Sequence, residues 1–307
     1  MDRLRVILAH NLKAHPRRWA GTARAQLVAR RTAATGAGAG SLVTCELDDV
    51  RRMAVVTLND PKRLNALTVE MGDAMLGVVA DLQSAVAAGR ARAVVLAGAG
   101  RAFSAGGDLS WLRERCEVAK ATPGVNARTM LNFYHRFLAI RSLPVPIVAA
   151  LDGPAIGAGA CLALACDYRI ASSGAKVGFT FVGLGLHPGM AATQYVRSVV
   201  GPQAAARLLL TGEVVDAEQA LALGLVGELV EGSAREAACA MAARMAAQSP
   251  VAVQSCVLSL RTQQDASGVG IAAALQREAD ALAICYGSAD MEEGLAAVIA
   301  KRPPVFK

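Results

Sequence analysis

Ala102-Phe103-Ser104-Ala105-Gly106-Gly107-Asp108-Leu109, entered from the apolar run Ala93-Val94-Val95-Leu96-Ala97, is the stretch on which the fold turns. A second stretch repeats its logic: Pro146-Ile147-Val148-Ala149-Ala150 leads into Asp152-Gly153-Pro154-Ala155-Ile156-Gly157-Ala158-Gly159-Ala160. Each apolar run reads as a buried strand, and each small-residue turn as a loop that enters a helix. Glycine and alanine let a bound group come close to the backbone, so two such turns can aim their N–H groups at a single oxygen. Paired donors of this kind stabilise an enolate or oxyanion by roughly 3–4 kcal/mol per donor.

Upstream, Met53-Ala54-Val55-Val56-Thr57-Leu58 passes through Asn59-Asp60-Pro61 into a helix predicted over 68–88, where Val69, Ala74, Met75, Val78, Val79 and Leu82 keep helical spacing. Gly89-Arg90 ends that helix before the next strand. Strand, helix and strand in succession predict an α/β fold with parallel pairing. Residues 111–124 are charged and then Pro/Gly-bearing; they read either as a mobile flap beside the site or as a solvated connection. A helix follows over 126–141, closed by Leu143-Pro144-Val145-Pro146. From Pro202 onward the pattern is helical, over 202–210, 216–223, 234–248, 251–263 and 271–285.

With 307 residues, 54% of them hydrophobic and few aromatic, the chain can bury a sizeable core of Ala, Val and Leu. Its longest apolar candidate, 155–166, falls short of the ~20 residues that cross a bilayer, and no membrane span is expected. The formal charge of +7 does not imply a nucleic-acid partner, because much of it sits before Glu46, where Asp2 is the one acidic residue. An Arg-rich, acid-poor leader over 1–41 reads as a mitochondrial transit peptide, placing the protein in the matrix, or else as a basic tail. Peroxisomal targeting fits less well: Asn11 spoils an N-terminal signal, and Val305-Phe306-Lys307 is not an S-K-L address. Seven cysteines without a C-x-x-C argue against a disulfide framework and against a metal site. Phosphate-loop, dinucleotide and nucleophile-elbow motifs are absent from the sequence.

At the two turns, the chain resembles the crotonase, or enoyl-CoA hydratase/isomerase, family. The likeness extends over about 42–307 and includes Thr57-Leu58-Asn59-Asp60-Pro61-Lys62-Arg63-Leu64-Asn65-Ala66-Leu67, Cys166-Asp167-Tyr168-Arg169-Ile170-Ala171, Gly185-Leu186-His187-Pro188-Gly189 and Ala300-Lys301-Arg302-Pro303-Pro304-Val305-Phe306. It implies a spiral of ββα repeats over 42–250 and a helical C-terminal trimerisation region over 251–307 that packs on a neighbouring subunit of a homotrimer or hexamer. It further implies an acyl-CoA thioester as partner, CoA arriving with the substrate and no separate cofactor. The oxyanion hole falls on the backbone N–H groups of Gly107 and Ala158, the latter at a helix start whose partial charge favours an anion. The CoA wall falls on Ala66, Ala105, Gly107, Asp108, Leu109, Ser110 and Ala158, with Lys62 or Arg63 near the phosphates.

The departures carry as much information as the matches. Hydratases of the family hold water between two glutamates, and the corresponding positions here are Cys161 and Phe181. Gly189, where some relatives with other chemistry have a carboxylate, has no side chain. The remaining polar candidates are Asp108, Tyr134, His135, Thr180, His187 and Tyr195. Among them His187 is the acid/base by type, since a histidine titrates near neutrality, although a loop histidine is also a common structural hydrogen-bonder. Expected is an acyl-CoA enzyme that stabilises a thioester enolate, of the enoyl-CoA hydratase/isomerase kind in fatty or branched acyl-CoA breakdown. The alternatives are an acyl-CoA decarboxylase, which needs no carboxylate pair, and a non-catalytic acyl-CoA-binding subunit.

Overall fold

The computed structural model describes residues 40–121, 123–266 and 270–306. The leader expected over 1–41 lies, but for Gly40 and Ser41, outside them. The described residues belong to one compact unit.

β1 (Val43–Asp48) and β2 (Met53–Leu58) form an antiparallel hairpin with Val43 opposite Leu58. β2 then pairs in parallel with β3 (Ala93–Gly98), β3 with β4 (Ile147–Leu151), β4 with β6 (Tyr168–Ser172) and β6 with β9 (Glu228–Val230). Parallel pairing was the expectation, and its physical sign is that β3 and β4 are apolar on both faces. Alternate residues of β3 enter two different cores. Val94 and Leu96 belong to the core that also holds Met71, Met75 and Leu82 of α1 (Val69–Ala87), whereas Ala93, Val95 and Ala97 belong to the one formed with the alanine row of α7 (Ala234–Ala246). Ala234, Ala238, Ala242 and Ala246 recur every four residues, which lays one smooth stripe against the sheet. A small second sheet joins β5 (Ala155–Ile156), β7 (Lys176–Gly178) and β8 (Val214–Asp216).

Between β3 and β4, the segment 111–124, read as a flap or a solvated connection, falls largely on two helices, and its Trp111 and Leu112 line the cavity described below. α2 (Leu109–Ala121) and α3 (Pro123–Leu138) fill the interval. Leu112 and Cys116, one turn apart, point inward, while Arg113, Glu114 and Glu117 surround them with charge that hides the periodicity. After α4 (Ala158–Leu164), α5 (Ala192–Thr211) starts ten residues before the predicted helix at Pro202. Gly201, at φ 78°, breaks α5 in two, and Pro202 opens the second half.

The C-terminal helices also pack on one another and on α3 within the chain. α6 (Ala217–Ala222) and α7 precede α8 (Pro250–Ala266), α9 (Ile271–Tyr286) and α10 (Ala289–Ile299). α9 turns its buried face, Leu275, Ala279, Leu282 and Tyr286, onto α3 of the same chain. Apolar residues at these spacings need a partner, and α3 supplies one with Met130, Phe133 and Tyr134.

Candidate active site

The two glycine-bearing loops meet edge to edge. Phe103 and Ser104 donate their N–H groups to Pro154 O at 3.0 and 3.1 Å, and Ile156 N–H donates to Ser104 O at 2.9 Å. Side chains are excluded from the seam: an ideal Cβ on Gly153 would lie 2.1 Å from Arg101 O, and one on Gly159 2.7 Å from Ser104 O. Gly106, at φ +94°, comes closest to the second loop, with its Cβ position 2.7 Å from Ile156 O and 3.5 Å from Ala158 N. Only glycine satisfies both the left-handed backbone and that approach.

A third segment locks the first loop from behind. Leu67 N–H donates to Gly106 O at 2.7 Å, Asp108 N–H to Leu67 O at 3.2 Å, and Ala105 N–H to Leu64 O at 2.9 Å. Asn65 is fully buried; its Oδ1 accepts Asp60 N–H at 2.9 Å, and its Nδ2 donates to Ala99 O at 2.9 Å and Ala102 O at 2.8 Å. The Leu64-Asn65-Ala66-Leu67 motif thus has a structural reason. The flanking loop bonds leave Gly107 N–H and Ala158 N–H without a partner among the described residues.

Both N–H groups belong to residues lining a cavity of about 670 Å³. Arg63, Ala66, Ala105, Gly107, Asp108, Leu109, Ser110 and Ala158, all anticipated from the sequence, line it. Lys62 is exposed and outside the wall. Arg63 is exposed too, pairing with Asp60 at 2.6 Å and approaching Asp108 to 3.8 Å. Asp108 caps α2 by accepting Trp111 N–H at 3.0 Å and the Ser110 hydroxyl. Burial opposes the charge on Asp108, but these hydrogen bonds and Arg63 outweigh it and hold the carboxyl below its ordinary value. α4 is only seven residues long, so its contribution is the free N–H at its first residue rather than a macrodipole.

The acid/base candidates separate clearly. Thr180 and Phe181 line the cavity, half-buried. Cys161 is fully buried and outside the wall; burial, with Glu278 nearby, pushes its thiol well up, so it is no thiolate base. His187 is half-buried and does not line the cavity; its Nδ1 stands 2.7 Å from Pro188 O. His135 is exposed, and Tyr195 lies buried away from the wall with Arg141 over its ring at 5.4 Å. Tyr134 is both buried and on the wall. Among the lining residues Asp108 is the sole carboxylate.

Sequence reasoning missed the far wall, contributed by Trp111, Met130, Phe133, Leu282 and Tyr286. It also missed Glu278, buried behind that wall, which accepts Ala191 N–H at 2.6 Å, Thr193 N–H at 2.9 Å and Thr193 Oγ–H at 2.6 Å. A signal was present: Glu278 sits on the same helical stripe as Leu275 and Leu282, where a charge needs a partner.

The family model for enoyl-CoA hydratase/isomerase matches residues 50–307. The chain belongs to that family. A Thermus thermophilus protein described as an enoyl-CoA hydratase is 38% identical over 255 residues, covering 83% of this chain and 97% of that one. The short-chain-enoyl-CoA hydratase of Clostridium acetobutylicum is 34% identical over 258 residues, covering 83% and 94%. Among solved structures, an enoyl-CoA hydratase from Mycobacterium avium subsp. paratuberculosis superposes with a TM-score of 0.71 at 29% identity, over 87% of this chain and 98% of that one. The fold is the α/β fold of the crotonase family, and the chain is an enzyme of that family.

Proposed function

We propose that the enzyme binds an acyl-CoA thioester with its carbonyl oxygen between Gly107 N–H and Ala158 N–H and works through the thioester enolate. The reaction is of the enoyl-CoA hydratase/isomerase kind, in fatty or branched acyl-CoA metabolism, with no cofactor beyond the CoA of the substrate. One observation carries this reading: two unpaired backbone donors, brought together by adjoining loops, front one largely apolar cavity. Polarising the thioester there lowers the barrier as charge develops on the oxygen, by roughly 3–4 kcal/mol per donor. The apolar wall suits an acyl chain, and exposed Arg63 beside it suits the CoA phosphates.

Decarboxylation is a second reading, favoured by the wall's chemistry. Its one carboxylate, Asp108, is committed to capping α2, and Cys161 and Phe181 supply no base. Incubation with 2-enoyl-, 3-enoyl- and malonyl-type acyl-CoAs, followed by mass spectrometry and chromatography of the CoA products, separates the readings. The expected outcome is a gain of water or an isomerised product from the enoyl substrates. Loss of carbon dioxide would establish the second reading, and binding without turnover would make the chain an acyl-CoA-binding subunit.

A further inference from the structure

Among the described residues that line the cavity, Tyr134 is the one with a buried side-chain polar atom that has no hydrogen-bond partner. The residue is 1% exposed, so bulk water does not serve its hydroxyl. Native structures pair their buried hydroxyls, so an exception at a cavity wall calls for a partner supplied by the cavity's contents, water or ligand. The hydroxyl has a made place. A Cβ on Gly189 would stand 2.4 Å from Tyr134 Oη, so the missing side chain at 189 is what admits the phenol. The ring is held from the side by Phe133, edge-on with centroids 6.4 Å apart, and Phe133 stacks on Trp111 at 4.7 Å.

We propose that Tyr134 is the catalytic proton donor of this site, delivering its hydroxyl proton to the α-carbon of the thioester enolate. The assignment rests on the enolate chemistry proposed above. Burial, reinforced by Tyr286, Glu278 and Cys161, holds the phenol well above its ordinary value, so it is a neutral donor throughout the physiological range. In hydration, water adds through oxygen to the β-carbon of the enoyl thioester, and the double-bond electrons move to the carbonyl oxygen held by Gly107 and Ala158. The enolate then collapses: a Cα–H bond forms, the Tyr134 O–H bond breaks, and the tyrosinate takes up the proton the added water has released. In decarboxylation the enolate forms as the C–C bond to carbon dioxide breaks, the same proton goes to Cα, and a water that enters the cavity as the product leaves returns a proton to the tyrosinate. Neither course needs an oxidant, a metal or a second base.

Tyr134→Phe removes one atom that has no protein partner, so the variant folds and keeps its apolar contacts. Steady-state kinetics of both proteins on whichever acyl-CoA the wild type converts, with calorimetric binding and thermal unfolding, test the assignment. The expected result is a fall in kcat of about 100-fold or more, the loss of a positioned proton donor. KM should stay within about threefold, and Tm should be equal or higher. A wild type that turns over beside a variant with kcat within about threefold overturns the role of Tyr134 and leaves the enolate reading intact. A wild type that binds acyl-CoA and converts none overturns both.

Discussion

Asn65 commits its whole side chain to backbone, taking one N–H and satisfying two carbonyls, and so fixes the segment against which Gly106 and Asp108 are hung. The site's geometry is thus set by a neutral, fully bonded amide. Glu278 is the opposite case. It accepts three hydrogen bonds, yet burial outweighs them and pushes its carboxyl up to about 7. The folded chain holds this proton at pH values where the unfolded chain, near 4.5, has released it. Stability from this group is therefore greatest below the unfolded value and falls as pH rises toward 7, by on the order of 3 kcal/mol. Glu278→Gln abolishes the titration. Urea unfolding of both proteins between about pH 5 and pH 7.5 should show the wild-type stability declining relative to the variant, then running level above that window. A constant difference would place the carboxyl near its ordinary value in the folded chain.

At the scale of elements, legibility followed how plainly a face declares itself. The predicted 68–88 helix is α1, found at Val69–Ala87, because its apolar stripe is unbroken and Thr68 caps it through Met71 N–H. α2 was hidden by charges around Leu112 and Cys116, and the first half of α5 by the glycine that splits it. α8 was read as a helix, but nothing local said what anchors it. Arg261, 8% exposed, bonds Asp167 at 2.8 and 2.6 Å and the carbonyls of Arg141, Leu143 and Val145 at 2.7, 2.8 and 3.1 Å. Asp167 stands 94 residues away, beyond any periodicity. Removing the guanidinium leaves half-buried Asp167 and three carbonyls without their donor, so Arg261→Met should cost about 3 kcal/mol in chemical unfolding, the low end for a broken buried pair. Adding Asp167→Asn should cost less than the separate losses combined, since the uncompensated charge is gone while Ile147 N–H, 2.8 Å from Asp167 Oδ2, keeps an acceptor. Strict additivity would show that the two side chains do not form one unit.

Across the whole molecule, the loops 102–109 and 152–160 were each readable, but their meeting was not. Residue patterns give strands entering glycine-rich turns; the edge-to-edge seam is a product of parallel order in the sheet, and family resemblance supplied the pairing. The far wall was still less accessible, because Leu282 and Tyr286 reach the cavity from a helix well over a hundred residues later. That same C-terminal stretch raises the question of assembly. α9 covers α3 within the chain, yet Leu258 and Leu260 on α8, Ile284 on α9 and Ile299 on α10 remain 69%, 63%, 76% and 60% exposed. Each such side chain, moved from water into a packed interface, contributes about 2 kcal/mol. The homotrimer or hexamer implied by the resemblance would cover them. Light scattering on the eluting protein should then give the mass of three or six chains, and Leu258→Arg or Ile284→Arg should lower it. A single-chain mass throughout the micromolar range would mean that these side chains stay in water and that the cavity is complete within one chain.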